Sequence, residues 1–299
     1  MATSIDAGAF ARLRAAGFKG AAVRLADVDL PRVGALIGVG EDEIHAIIDV
    51  ESSGSGFDKL GRPKMLFEPH VFWRHLGAGT KRTRAASLGV AYEKWRPGNY
   101  PSDSYPRLAQ ALDIDVEAAL MSASWGLTQI LGENHVELGY ITAADMVVAF
   151  CGGEAAQLAG TVALIKSKGL SAKLKAHDWA AVARGWNGAG YAANHYDDKL
   201  AAAFAKWNRI PDTAWSPAVA VAPKPPFVAP EALSVAVPAG PASAPPKLPS
   251  QPASSPAKPA VATALVAAAS PALAPAGSGL LGSILGRLRA AYPVTPKKV

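Results

Sequence analysis

Proline divides this chain in two. Of its 24 prolines, 17 lie beyond Ser216, and proline both fixes φ and removes an amide donor. Neither a helix interior nor a central strand can run through such a segment. The rest of it is mostly Ala, Val and Ser, without the aromatic and large apolar groups that offset the entropy of ordering a chain. Residues 213–276 therefore read as an extended, disordered Pro/Ala-rich linker. Six of the seven tryptophans precede position 210, with Trp215 at the edge. The foldable part is about 1–212, long enough for a substantial core.

Charge follows the same boundary. From Ser216 onward there are seven Lys/Arg and one Glu, a balance of +6 that equals the net charge of all 299 residues. Residues 1–215 sum to zero. A neutral body argues against a nucleic-acid partner, which would require a basic stripe on the folded surface. The one cysteine, Cys151, excludes an internal disulfide framework and is compatible with folding in a reducing cytosol. The first residues have no continuous apolar stretch of the secretory type, so synthesis in the cytoplasm without a signal peptide is expected. No apolar run is long enough to span a bilayer.

Hydrophobic spacing in the body is mainly helical. "DLPRVGALIGV" offers Asp29 as N-cap and Pro31 in a first turn. "EDEIHAIIDVES" follows, with Ile44, Ile47 and Ile48 at helical spacing. "GRPKMLFE" departs from this, with turn chemistry at Gly61–Pro63 and a strand-like Met65–Phe67. Residues 77–104 read as a long irregular insertion, within which "LGAGTKRTR" is a solvated loop. Helices are expected again at "SYPRLAQAL", at "DVEAALMSA" with Asp115 as N-cap, and at "TAADMVVAF", "EAAQLAGTVALIKSK", "DWAAVARGW" and "NHYDDKLAAAFAKW". The class is α+β, mostly helical, with a small β-hairpin.

One carboxylate in this pattern calls for a reason. In "VESSGSGF" the helix ending at Val50 meets a cluster of Ser and Gly, which places Glu51 at a helix C-terminus. The macrodipole disfavours negative charge there. Such a position suits an acid that must stay protonated near neutral pH, and equally an ordinary solvent-facing glutamate. Spacing alone favours the ordinary one.

Two further stretches change that balance: "SWGLTQILGENH" at 124–135 and "GWNGAGY" at 185–191. Together with "ESSGSGF" they resemble the lysozyme-like superfamily of goose-type lysozymes and soluble lytic transglycosylases. The closer resemblance, over about 36–207, is to the N-acetylmuramidase domain of endolysins from phages infecting Gram-negative bacteria. Three positions depart from those patterns. Thr128 and Leu131 stand where Met is usual, which affects packing. Trp186 stands where Tyr is usual, which removes a phenol hydroxyl and keeps a flat face.

The resemblance implies a lysozyme-like fold and cleavage of the β-1,4 bond between N-acetylmuramic acid and N-acetylglucosamine. The alternatives are a lytic transglycosylase that leaves 1,6-anhydromuramic ends, and a virion or envelope protein that binds glycan without turnover. Glu51 would be the general acid, and Glu68, ending the strand run, a second catalytic carboxylate. The bland alternative for Glu68 is a brace paired with Arg62 or His70. Gln129 and Asn187 carry amides suited to reading N-acetyl and hydroxyl groups, or bracing the backbone. Tyr191, Trp125 and Trp186 offer faces for sugar rings or fill the core. Ser124, with Ser122, would hydrogen-bond the acid or pack helices closely. No cofactor or metal is implied, since sugar hydrolysis needs only carboxylates and water, and no His-Glu-x-x-His pair is present. The remaining expectations are a helical lead-in at 1–35, a catalytic domain at 36–212, a monomer, and action on the periplasmic cell wall with peptidoglycan strands as partner. Residues 277–299 form a cationic amphipathic segment suited to an anionic membrane or lipopolysaccharide surface.

Overall fold

The computed structural model describes residues 7–52 and 54–216. The expected linker beyond residue 216, the cationic segment at 277–299 and residues 1–6 of the expected helical lead-in lie outside the described residues. Twelve α-helices and one three-stranded sheet make up the described body, so the mostly helical α+β class expected from the sequence is the one found. No helix among the described residues is long and apolar enough to cross a membrane.

Two helices lead in, α1 at Ala7–Ala15 and α2 at Asp29–Ala35. Asp29 is the first residue of α2 and not its N-cap: its carboxylate turns back to accept from the Ala26 amide at 2.9 Å and pairs with Arg32. Helix α3, Glu41–Glu51, opens with three acids, which the positive helix end favours, and buries Ile44, Ala46, Ile47 and Val50. It packs against α12, Tyr196–Trp207, and against α2. Within the α3–α12 contact Trp207 stacks on His45, with ring centroids 3.6 Å apart, and donates its indole N–H to Asp49 at 2.9 Å.

The sheet is small and wholly buried. Strand β1, Met65–Phe67, pairs antiparallel with β2, Ala123–Trp125, and β2 with β3, Ile130–Leu131. The hairpin is thus formed by β2 and β3, across a turn that "GLTQ" supplies, while β1 joins from far away in sequence. Residues 77–104 differ from expectation too. Thr80–Ser87 form helix α5, anchored by buried Ala85 and by Arg82, which lies over the Trp73 ring and donates to the Trp73 carbonyl at 3.1 Å. Local basic composition hid a helix held by these two tertiary contacts. Asp115 does cap α7, Val116–Met121, accepting from the Ala118 amide.

The core is one cluster beneath the helices, with Phe18, Tyr105 and Trp125 touching at its centre. Helices α8, Ala143–Gly152, and α9, Glu154–Ser167, run through it. Helix α11, Trp179–Asn187, closes over α12.

Candidate active site

Glu51 is the last residue of α3, and its helix faces α9, α11 and α12. The carboxyl is 5 % exposed and borders a narrow cavity lined by Ile47, Ile165, Leu174, Val182 and Leu200, with Trp186 and Asn187 as its polar members. A charged carboxylate in such surroundings loses its hydration without an ion partner. Burial pushes its pKa up to about 8, while Trp186 and Asn187 oppose the rise by favouring the charged form. Neither the indole N–H nor the Asn187 amide makes a well-formed hydrogen bond. Their donors therefore reduce the burial penalty without cancelling it.

The wall carrying them comes from the end of α11. Asp178 caps that helix by accepting from the Ala181 amide at 3.1 Å, and Gly188, at φ +76°, ends it. The next segment, a 3-10 stretch at Ala189–Asn194, holds Tyr191 half-buried against the core. Its hydroxyl accepts from Arg184 at 3.4 Å and the guanidinium lies over its ring. Trp186 does not present a stacking face, being 5 % exposed beneath Glu51. The substitution of Trp for Tyr removes a hydroxyl yet still supplies an N–H donor toward the acid.

The sheet supplies the other sequence-expected residues. Gln129 lies in the β2–β3 turn with φ +53°, a left-handed conformation that costs a non-glycine residue about 1–2 kcal/mol. Its amide N–H groups hold that turn, donating to Gly126 O at 2.8 Å and Lys64 O at 3.0 Å, while Oε1 is buried without a hydrogen bond. Ser124 Oγ is also buried and unbonded. Ser122 donates to Ala118 O at 2.6 Å and braces α7. Trp125 is fully buried, bonded through its indole N–H to Leu120 O at 3.2 Å and packed on Phe18 and Tyr105. It is core, and offers no face to a sugar. Thr128, buried in the same turn, shares a 2.7 Å hydrogen bond with Thr161.

Glu68 is not among the side chains that line the Glu51 cavity. It is fully buried where β1 passes into α4, Pro69–Leu76. The Tyr100 hydroxyl donates to its Oε2 at 2.5 Å, and His70 Nδ1 stands 3.4 Å from the same oxygen. Arg62 is engaged elsewhere, by Asp58 at 2.7 Å and Asp103 at 3.2 Å. Among the described residues no cluster of three or more His, Cys, Asp or Glu could hold a metal ion. Cys151 is buried in the core, where burial pushes its thiol up.

The family model described as N-acetylmuramidase matches residues 41–208. The chain belongs to the N-acetylmuramidase family. That span includes Glu51, the sheet, the β2–β3 turn and the whole wall segment. Among solved structures, the muramidase is similar to the endolysin of the Burkholderia phage AP3, at 36% identity and a TM-score of 0.58, over 62% of this chain and 72% of that one. No protein in the curated set matches the sequence significantly. Family membership makes this a peptidoglycan-degrading enzyme of lysozyme-like, endolysin-type fold.

The muramidase structure thus brings Glu51, Trp186 and Asn187 together, puts Gln129 and Ser124 in the buried sheet and its turn, and leaves Glu68 with Tyr100. It also shows two residues that motif reading missed, Glu154 and Gln157 on α9. Both are polar, three apart, and nearly fully buried. That i, i+3 pair inside the mostly apolar "EAAQLAGTVALI" was the signal available in the sequence.

Proposed function

We propose that this muramidase hydrolyses the β-1,4 bond between N-acetylmuramic acid and N-acetylglucosamine, with Glu51 as the general acid, and thereby lyses the bacterial cell wall. The observation that carries this reading is the buried, ion-free setting of Glu51 and its pKa near 8. A carboxyl of that kind still holds its proton at neutral pH and can give it to the leaving glycosidic oxygen. Hen-type lysozyme tunes its acid in the same way, with a glutamate set in an apolar pocket. Trp186 and Asn187 then favour the carboxylate that forms once the proton has left. Tyr191, half-buried on the wall, is proposed to meet the sugar, while Asn187, Gln129 and Ser124, whose polar atoms are buried, are proposed to shape the wall and the floor behind it.

A specific observation also supports a second reading. Glu51 is the only carboxylate lining its cavity among the described residues. A lone glutamate suits lytic transglycosylation, in which it acts as acid and then as base. The muramic 6-hydroxyl replaces water and a 1,6-anhydro end is left. Glu68, enclosed by Tyr100 and His70, fits a brace better than a water-orienting base.

Digestion of purified peptidoglycan followed by mass spectrometry of the muropeptides tests both. Reducing muramic ends support hydrolysis, and anhydro ends support transglycosylation. Glu51→Gln, which cannot donate the proton, should lose about 10²–10⁴-fold in turnover while still binding glycan. Turnover above about one per cent of wild type would remove Glu51 as the acid.

A further inference from the structure

We propose that Glu154 and Gln157 are positioning residues for the active site: through them α9 locks the loop behind Glu51 to the turn that carries Gln129. The inference rests on the assignment of Glu51 as the acid.

Glu154 is the first residue of α9 and its side chain is 3 % exposed. Both carboxylate oxygens are used. Oε1 accepts from the Gly56 amide at 2.8 Å and from Ser55 Oγ at 3.2 Å, while Oε2 accepts from the Leu25 amide at 3.0 Å and faces Arg24 Nε at 3.3 Å. Arg24 also donates to Ser55. A buried carboxylate is costly unless its lone pairs are matched, and here two separate stretches of backbone match them. One of these, at Ser55–Gly56, begins four residues after Glu51.

Gln157 lies one turn on along α9. Its Oε1 accepts from the Leu127 amide at 2.7 Å and its Nε2 donates to Phe150 O at 2.9 Å. Two glycines lie flat on this side chain. A Cβ on Gly56 would come 2.0 Å from Gln157 Oε1, and one on Gly126 would come 2.5 Å from Gln157 Cδ. At such distances a side chain at either position and Gln157 in its present place exclude each other, so either the Gln157 side chain gives up its bonds or a loop shifts. Gly126, at φ +73°, is held to glycine by its backbone as well. The two loops are also joined to each other through Lys64, whose amide donates to Gly56 O at 2.8 Å and whose carbonyl accepts from Gly126 N at 2.8 Å and from Gln129. The result is one hydrogen-bonded unit in which α9 sets the separation between the Glu51 loop and the Gln129 turn. Neither Glu154 nor Gln157 lines the Glu51 cavity, so their effect on chemistry passes through these loops. A misplacement of about 1 Å at a reacting group can cost about 10²-fold in rate.

The experiment measures kcat and KM of the full-length chain on soluble glycan strands, with melting temperature, for Glu154→Gln, Gly56→Ala, Gln157→Ala and the Gly56→Ala/Gln157→Ala pair. The amide in Glu154→Gln can accept at one oxygen only, so one loop is released. Its kcat should fall tenfold or more with KM unchanged within threefold. A smaller fall, or a loss confined to KM, would overturn the proposal. If Glu154→Gln does not fold, the glycine pair decides. Gly56→Ala should cut kcat tenfold or more in the native background, and less than threefold where Gln157 is already Ala. Equal losses in the two backgrounds would overturn it. Glu51→Gln is measured alongside: turnover retained there refutes the acid assignment, whereas the Gly56/Gln157 comparison still reports on the clamp.

Discussion

A carboxyl at the end of a helix that is also buried has its charge disfavoured twice, by the negative helix end and by lost hydration. Glu51 takes on both, and the consequence reaches stability as well as chemistry. Its pKa rises from 4.5 in the unfolded chain to about 8 in the folded one. Between those values the folded state binds more protons than the unfolded state, so stability falls as pH rises. The penalty is absent below about pH 4.5 and complete above about pH 8. Glu51→Gln removes the titration and keeps the shape. Thermal melts should therefore show the variant more stable than wild type at pH 7, on the order of 3 kcal/mol, with the two curves converging near pH 4.5. A constant gap across that range would show that Glu51 is not the buried, proton-holding group described. With Glu51 as the proposed acid, the same pKa predicts an alkaline limb of kcat/KM near pH 8, because the acid must be protonated to act.

At the scale of elements, the helices that place Glu51 were legible because their apolar spacing is local: α3, α8, α9, α11 and α12 each stand where 3.6-residue periodicity put them. The strand pairing was less so. Met65–Phe67 could be seen as a strand, but its partner Ala123–Trp125 lies far along the chain, and nothing in "ASW" announces register. Helix α5 was hidden for a related reason, since Ala85 and the Arg82–Trp73 contact are tertiary. Glu51 could be placed at a helix end because a stop followed it, and it was singled out only by the two further motifs at 124–135 and 185–191. Whether Trp125 was core or cleft could not be read, since both use the same side chain. Glu68 belongs to this scale, where β1 passes into α4 and the Tyr100 loop reaches back to it. Tyr100→Phe removes the donor at 2.5 Å and leaves a buried carboxylate oxygen short of a bond, a change worth about 1–3 kcal/mol. Both Tyr100→Phe and Glu68→Gln should lower the melting temperature while leaving turnover per folded molecule within a few-fold of wild type. Turnover lost at unchanged stability would instead make Glu68 a second catalytic carboxylate.

At the scale of the whole molecule, chemistry and charge occupy different parts of the chain. The family match ends at residue 208, and every side chain assigned to the site lies before it. The net charge of +6 lies entirely beyond Ser216, on residues that contribute none of those side chains. Truncation after residue 216 should therefore leave digestion of isolated peptidoglycan within about twofold of the full chain. That expectation follows from the described body alone, whose end is tied back where the Thr213 amide donates to Glu41 at 2.7 Å. Intact Gram-negative cells pose a different problem, because their anionic outer surface must be reached first. Lysines and arginines near such a surface attract it, and the attraction is screened over about 8 Å at physiological ionic strength. The full chain should kill intact cells better than the truncated one at low salt, and the advantage should shrink as salt is added. Parallel killing curves for the two forms at every ionic strength would assign the charged segment no part in reaching the wall. Loss of activity on isolated peptidoglycan would show instead that residues beyond 216 complete the substrate site.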